Sequence, residues 1–314
     1  MVKLSIEVYN FIYRFYFKTL CYICIKTFGM KHGLVLEGGG MRGLFTEGVL
    51  NVFMEHGITF DGLVGVSAGV LFGCGYKSQQ PKRGLNCNIR FIGDPKYMGI
   101  RSWIKTGNYS SPEYAYHIVP TQLDPIDAEA FEKNPMEFYV VCTDVENGVP
   151  VYHKLTKCDY EALEWIRASA SMPLVSKPIE LDGKKLLDGG MTDSIPLKFF
   201  QSIGYEKNVV ILTQPRGYRK TPSKGMYVFK IFNNGFPKIT ETMMNRHIMY
   251  NAEIDYITQQ EKTGNTLLIY PDEKLDIGRV EQNKEKMLHV YEMGRKKGIE
   301  ILPQVVDFLG LSLS

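Results

Sequence analysis

Residues 33–76 read GLVLEGGGMRGLFTEGVLNVFMEHGITFDGLVGVSAGVLFGCGY. The apolar run 33–37 stops at three glycines. Beyond them Leu44, Val49, Val52 and Phe53 recur at helical spacing, and Gly57 is a plausible stop. From Gly62 to Tyr76 no residue is charged. That stretch is too short for a membrane span, which needs about 20 apolar residues, and suits a buried strand running into a buried helix. The order strand, glycine loop, helix, strand, turn, helix predicts an α/β fold with a parallel sheet covered by helices.

Upstream lie 29 residues of a different kind, VKLSIEVYNFIYRFYFKTLCYICIKTF at their centre. Charges at Lys18 and Lys26 interrupt any signal-peptide core, and no small-residue cleavage site follows. On a helix, Lys3, Glu7, Arg14 and Lys18 fall within roughly a 60° arc, with Ile, Tyr, Phe and Leu around the rest. The functional expectation is an interfacial helix. The bland one is a dispensable tail or an upstream start, because Met30 directly precedes a natural domain beginning.

Downstream, residues 77–125 are polar, rich in Gly, Pro and Tyr, and weakly periodic, as in a lid or insertion. Asn147-Gly148 and Asp182-Gly183 each punctuate a hairpin between β-rich runs. Residues 159–170 read as a helix capped by Asp159. KNVVILTQ after Gly204 is a strand, 239–262 a helix stopped at Gly264, NTLLIYP a strand, and 279–297 a helix ending in Arg295-Lys296-Lys297, cations favoured there by the helix dipole. These elements are expected to extend the same sheet as an α/β extension over 201–314.

Hydrophobic residues make up 44% and charged residues 23% of the 314, which excludes a disordered or collagenous chain. The formal net charge of +3 equals the excess of Lys3, Arg14, Lys18 and Lys26 over Glu7, so the body is neutral. A neutral body argues against nucleic acid as a partner. The six cysteines contain one C-x-x-C, Cys21 and Cys24, with no second pair to complete a zinc site. Unpaired thiols in a reducing, cytoplasmic setting, with peripheral membrane contact at most, are expected.

Three motifs carry chemistry. Gly38-Gly39-Gly40-Met41-Arg42-Gly43 satisfies G-x-G-x-x-G, but Asp61 precedes the second strand instead of ending it, which counts against a dinucleotide site. What the loop offers is backbone N–H groups at a helix start, able to hold an oxyanion. Gly65-Val66-Ser67-Ala68-Gly69 is a G-x-S-x-G in the strand–turn–helix setting of a nucleophile elbow, its glycines permitting the tight turn. Asp188-Gly189-Gly190 holds a carboxylate at a strand end with little steric cover.

In this order the three motifs resemble the patatin-like phospholipase family in its bacterial branch, over about Gly33 to Pro196. The signatures G-G-G-x-[RK]-G, G-x-S-x-G and D-G-[AG] are all met, and Ala168-Ser169-Ala170-Ser171-Met172-Pro173 is similar to the family's A-S-x-x-x-P segment. The resemblance implies a three-layer α/β/α sandwich with a mostly parallel central sheet and a catalytic domain over residues 33–200. It implies a Ser–Asp dyad, Ser67 as nucleophile and Asp188 as base. Gly38, Gly39, Gly40 and Met41 would form the oxyanion hole, supported by Arg42, and Gly65 and Gly69 the elbow. A lipid ester would be the substrate, with no metal or organic cofactor.

Two alternatives stay open at this stage. His247 and His289 follow Asp188 and would fit a Ser–Asp–His order. A non-catalytic lipid-binding or scaffolding protein could also keep the fold.

Overall fold

Side chains alternate faces along β1 (His32–Leu36), and that alternation builds two cores. Leu34 and Leu36 point to one side and Val35 to the other, all fully buried. The same split recurs on β2 (Gly62–Val66) and β3 (Glu137–Asp144). The first core takes α1 (Gly43–Glu55), α2 (Ala68–Lys77), α6 (Tyr160–Ser169) and α9 (Lys284–Leu309). The second takes α7 (Leu197–Ser202) and α8 (Pro237–Lys262). The result is a three-layer α/β/α sandwich. The computed structural model describes residues 30–222 and 236–311. The basic stripe from Lys3 to Lys18 and the Cys21/Cys24 pair lie outside them.

Among the described residues the sheet has eight strands. β1 pairs in parallel with β2 and with β7 (Lys207–Ile211). β2 pairs in parallel with β3, and β7 with β8 (Thr266–Ile269). Strands β7 and β8 thus lie in the same sheet as the motif-bearing strands. Two hairpins complete it. Strand β4 (Val149–Leu155) runs antiparallel to β3, and β5 (Ile179–Leu181) to β6 (Lys184–Asp188). The first turn contains Asn147-Gly148, but Asp144 shapes it, its Oδ1 accepting from Glu146 N–H at 2.9 Å and Asn147 N–H at 3.2 Å. In the second, Asp182 and Gly183 both have positive φ, 49° and 69°, as a tight two-residue turn requires.

One register fact positions everything else. Strand β4 occupies one edge of β3 from Phe138 to Asp144. Both β2 and β6 must therefore share the other edge. β2 runs parallel as far as the Val66–Val141 pair, and β6 arrives antiparallel and ends at the Asp188–Cys142 pair. The two strands meet nearly end to end, so residue 67 and residue 188 are neighbours although 121 positions separate them in sequence.

The remaining helices are α3 (Arg83–Phe91), α4 (Ile100–Thr106) and α5 (Ala128–Lys133), with a wider π-helical stretch, Tyr114–Leu123, before α5. The helix expected over 159–170 forms, capped by the Asp159 carboxylate on Ala162 N–H at 3.0 Å. The last helix departs from expectation. It starts at Lys284 and runs through Arg295-Lys296-Lys297 to Leu309. Packing overrides the local end signal. A Cβ on Gly294 would lie 2.0 Å from the Phe45 carbonyl oxygen, so glycine there allows α9 to press against α1. The cations are held laterally, Arg295 in a two-pronged pair with Glu55 and Lys297 with Asp272.

Candidate active site

β2 ends in a sharp turn at Ser67, whose φ of 54° and ψ of −121° are unfavourable for a side chain with a Cβ. The strain is held from both sides. A Cβ on Gly69 would lie 2.6 Å from the Leu36 carbonyl oxygen, so the start of α2 rides directly on β1. The Ser67 N–H donates to Ser169 Oγ at 2.9 Å, and that hydroxyl donates to the Val141 carbonyl at 2.7 Å. Ser169 belongs to the A-S-x-x-x-P segment, so this part of the motif fastens the turn to β3.

Asp188 enters from β6. Its backbone N–H donates to the Ser171 carbonyl at 2.8 Å, and Thr143 Oγ1 donates to its carbonyl at 2.9 Å. The residue is 8% exposed, and its carboxylate accepts the Gly190 N–H at 2.8 Å. Burial raises its pKa above the ordinary carboxylate value. The nearby Ser67 hydroxyl opposes that rise most, followed by Arg246, the Gly190 N–H and Arg279.

The glycine loop crosses in front of this pair. A Cβ on Gly38 would lie 2.9 Å from both the Ser67 Cβ and the Val66 carbonyl oxygen. Among the described residues the Gly39 and Gly40 N–H groups have no hydrogen-bond partner. Met41 differs from its two neighbours. Its N–H donates to the Arg279 carbonyl at 3.1 Å and is spent on holding the loop. Arg42 lies beside the loop, its pKa lowered chiefly by burial against the pull of Glu37.

Ser67 sits where two cavities join. The larger, about 170 Å³, is mainly apolar. Leu71, Phe72, Tyr116, Val119, Ile166 and Val280 are among its walls, and much of the rest of its lining falls between residues 83 and 126, almost all of it in the weakly periodic segment 77–125. The smaller, about 50 Å³, is polar and reaches from the glycine loop and Asp188 to Arg42, Lys220, Arg246 and Arg279. Neither His247 nor His289 lines either cavity; His289 is exposed on α9. Among the described residues no three His, Cys, Asp or Glu side chains form a metal-ligating group.

Several site residues carry no local sequence signal. Glu37, at the end of β1, is buried and accepts from the Thr213 N–H at 2.6 Å, the Thr213 hydroxyl at 3.1 Å and the Tyr250 hydroxyl at 2.8 Å. Arg246 donates from Nε to the Gly190 carbonyl at 2.5 Å. The one available clue was an acid ending an otherwise apolar strand, which demands a buried partner.

The model of the family described as patatin-like phospholipase matches residues 34–200, just over half of the chain. The chain belongs to the patatin-like phospholipase family. A second model, a domain of unknown function (DUF6363), matches residues 236–310 of this patatin-like chain, the part that supplies Arg246, Tyr250 and Arg279.

Among similar proteins, the uncharacterized protein YjjU of Escherichia coli is 31% identical over 195 residues, covering 60% of this chain and 54% of that protein. The lysophospholipase nte1 of Aspergillus terreus is 25% identical over 302 residues, covering 88% of this chain and 18% of the relative. The lysophospholipase NTE1 of Saccharomyces cerevisiae is 28% identical over 181 residues, covering 56% and 10%. The chain thus spans about half the length of the first relative and less than a fifth of the other two. A solved structure of VipD from Legionella pneumophila overlaps 88% of the chain and 67% of its own, with 13% identity and a TM-score of 0.43.

Proposed function

We propose that this protein is a lipid acyl hydrolase using a Ser67–Asp188 dyad. The observation that carries the reading is a serine held on a strained turn, facing a buried carboxylate where an apolar cavity meets free backbone donors. The acyl chain enters the larger cavity and brings its ester carbonyl to Ser67. Asp188 accepts the hydroxyl proton as Oγ bonds to the carbonyl carbon. The N–H groups of Gly39 and Gly40 hold the developing oxyanion, an arrangement worth about 3–4 kcal/mol per donor lost elsewhere. The ester C–O bond breaks, and the departing alkoxide takes the proton back from Asp188. Water, deprotonated by Asp188, then adds to the acyl carbon; the acyl–Oγ bond breaks, Ser67 Oγ takes the proton back from Asp188, and the acid leaves. The raised pKa of Asp188 makes it a better base than a solvated aspartate.

Membrane-surface contact belongs to the same proposal, through α4. Ile100, Trp103 and Ile104 are exposed there, Ile104 to 78%. Lys96, Arg101 and Lys105 are exposed around them, a charge pattern that suits an anionic lipid surface. The Gly99 N–H donates to the Tyr109 carbonyl at 2.9 Å, and Tyr97, Met98 and Tyr109 line the large cavity, so α4 adjoins its wall. No helix among the described residues is long and apolar enough to cross a membrane.

The test is fluorophosphonate labelling together with turnover of a short-chain nitrophenyl ester and a lysophospholipid. Wild-type protein should label at Ser67 and cleave esters. Ser67→Ala should do neither, and unchanged turnover in that variant overturns the reading.

A further inference from the structure

The small cavity beside Ser67 has a composition that ester cleavage alone does not require. Four cations line it: Arg42 from the glycine loop, Lys220 after β7, Arg246 on α8 and Arg279 before α9. Among the described residues only two carboxylates line it with them, Glu37 and Asp188. Glu37 is spent on Thr213 and Tyr250, and Asp188 faces Ser67. Nearby Arg216 and Arg219 each sit in an ion pair, with Glu261 and Asp255. Among the described residues, none of the four cavity cations has a carboxylate at ion-pairing distance, and the buried Arg42 Nε has no hydrogen-bond partner. Lys220 instead lies over the Tyr250 ring at 3.5 Å.

Like charges gathered this way repel. Burial, Arg246 and Arg279 together push the Lys220 pKa down to about 7. An arrangement that is costly when empty of anions is relieved by an anion. Guanidinium groups match phosphate oxygens in pairs, and lysine adds a point charge. At about 50 Å³ the cavity has room for several water-sized groups, so a tetrahedral oxyanion fits. With the acyl chain on the apolar side of Ser67, the alcohol half of the ester falls on this side. Among the described residues the lining offers no free carboxylate and no aromatic cage for a choline-type ammonium.

We infer that Arg42, Lys220, Arg246 and Arg279 form a phosphate-monoester subsite, and that the ester cleaved belongs to a monoacyl lipid ending in a bare phosphate. The inference rests on the lipid-hydrolase reading and deepens it by naming the headgroup. It also assigns a role to the last third of the chain, which supplies three of the four cations.

The decisive experiment measures binding, not turnover. Ser67→Ala protein is titrated calorimetrically with a short-chain 1-O-alkyl-glycerol-3-phosphate, whose ether cannot be cleaved. The same alkylglycerol without phosphate, its phosphocholine form and inorganic phosphate are titrated in parallel. The bare-phosphate lipid should bind at least about tenfold more tightly than each of the other three. Lys220→Met and Arg279→Gln, each added to Ser67→Ala and checked for an intact thermal transition, should each cut that advantage about tenfold. Equal binding of the lipids with and without phosphate overturns the subsite and leaves the hydrolase reading standing. Inorganic phosphate binding as tightly as the lipid assigns the site to the free ion and overturns the headgroup inference. Failure of every lipid to bind overturns both.

Discussion

The Ser67 backbone N–H is held by the Ser169 hydroxyl at 2.9 Å, a contact across 102 residues that ties the turn at Ser67 to α6. The same hydroxyl donates to the Val141 carbonyl on β3. Ser169→Ala therefore removes two buried hydrogen bonds and leaves a donor and an acceptor unmet, at a cost of about 1–3 kcal/mol. Urea unfolding should show that loss. Because Ser169 positions Ser67 without lining either cavity, kcat should fall with little change in KM.

Asp188 couples activity to stability with opposite signs. Its folded pKa is raised, chiefly by burial. The folded state then holds the proton more tightly than the unfolded chain does. Its favourable contribution is present below the unfolded pKa and is lost as pH rises through the folded pKa. Asp188→Asn removes this penalty. The variant should melt at a higher temperature than wild type, with the gap wider at pH 8 than at pH 5, while turnover falls by about 10³-fold or more. In wild type, the acid limb of kcat/KM should lie above the ordinary carboxylate range.

Gly38→Ala tests the contact between the glycine loop and the elbow. Its Cβ would lie 2.9 Å from both the Ser67 Cβ and the Val66 carbonyl, and neither is the tip of a flexible side chain. The loop must shift, moving the Gly39 and Gly40 donors off line. A loss of about 10²-fold in kcat is expected from such a displacement, read with a soluble ester under saturating substrate.

Lys220 gives phosphate recognition a pH dependence. The groups acting on its amine are Arg246, Arg279, Glu37 and Glu253, with the Tyr250 ring beneath it. Phosphate favours the charged amine, so affinity for the ether lipid should weaken as pH rises through about 7. Lys220→Met should flatten that dependence in the same titration.

Removing the apolar tips of α4, by Ile100→Ser with Ile104→Ser, should lower the rate on anionic vesicles relative to the rate on a soluble ester. Flotation of vesicles with the protein measures the contact directly. An unchanged ratio of the two rates would count against α4 as the membrane face.

The sequence alone determined the α/β class, the glycine loop, the elbow and the hairpins, because each is encoded within a few residues by side-chain period or turn chemistry. Asp159 as a cap and Asp182-Gly183 as a turn are legible for the same reason. The limit appears at Met41, whose N–H looks like a free donor until Arg279, 238 positions away, is seen to accept it. It appears again at Arg295-Lys296-Lys297, which reads as a helix end until the tight packing of α1 on α9 is known. Tertiary structure alone decided that β2 and β6 share one edge of β3, that Ser169 fastens the turn, and that four dispersed cations converge beside Ser67. Strand register and burial are collective properties of the folded sheet, and no local stretch of chain carries them.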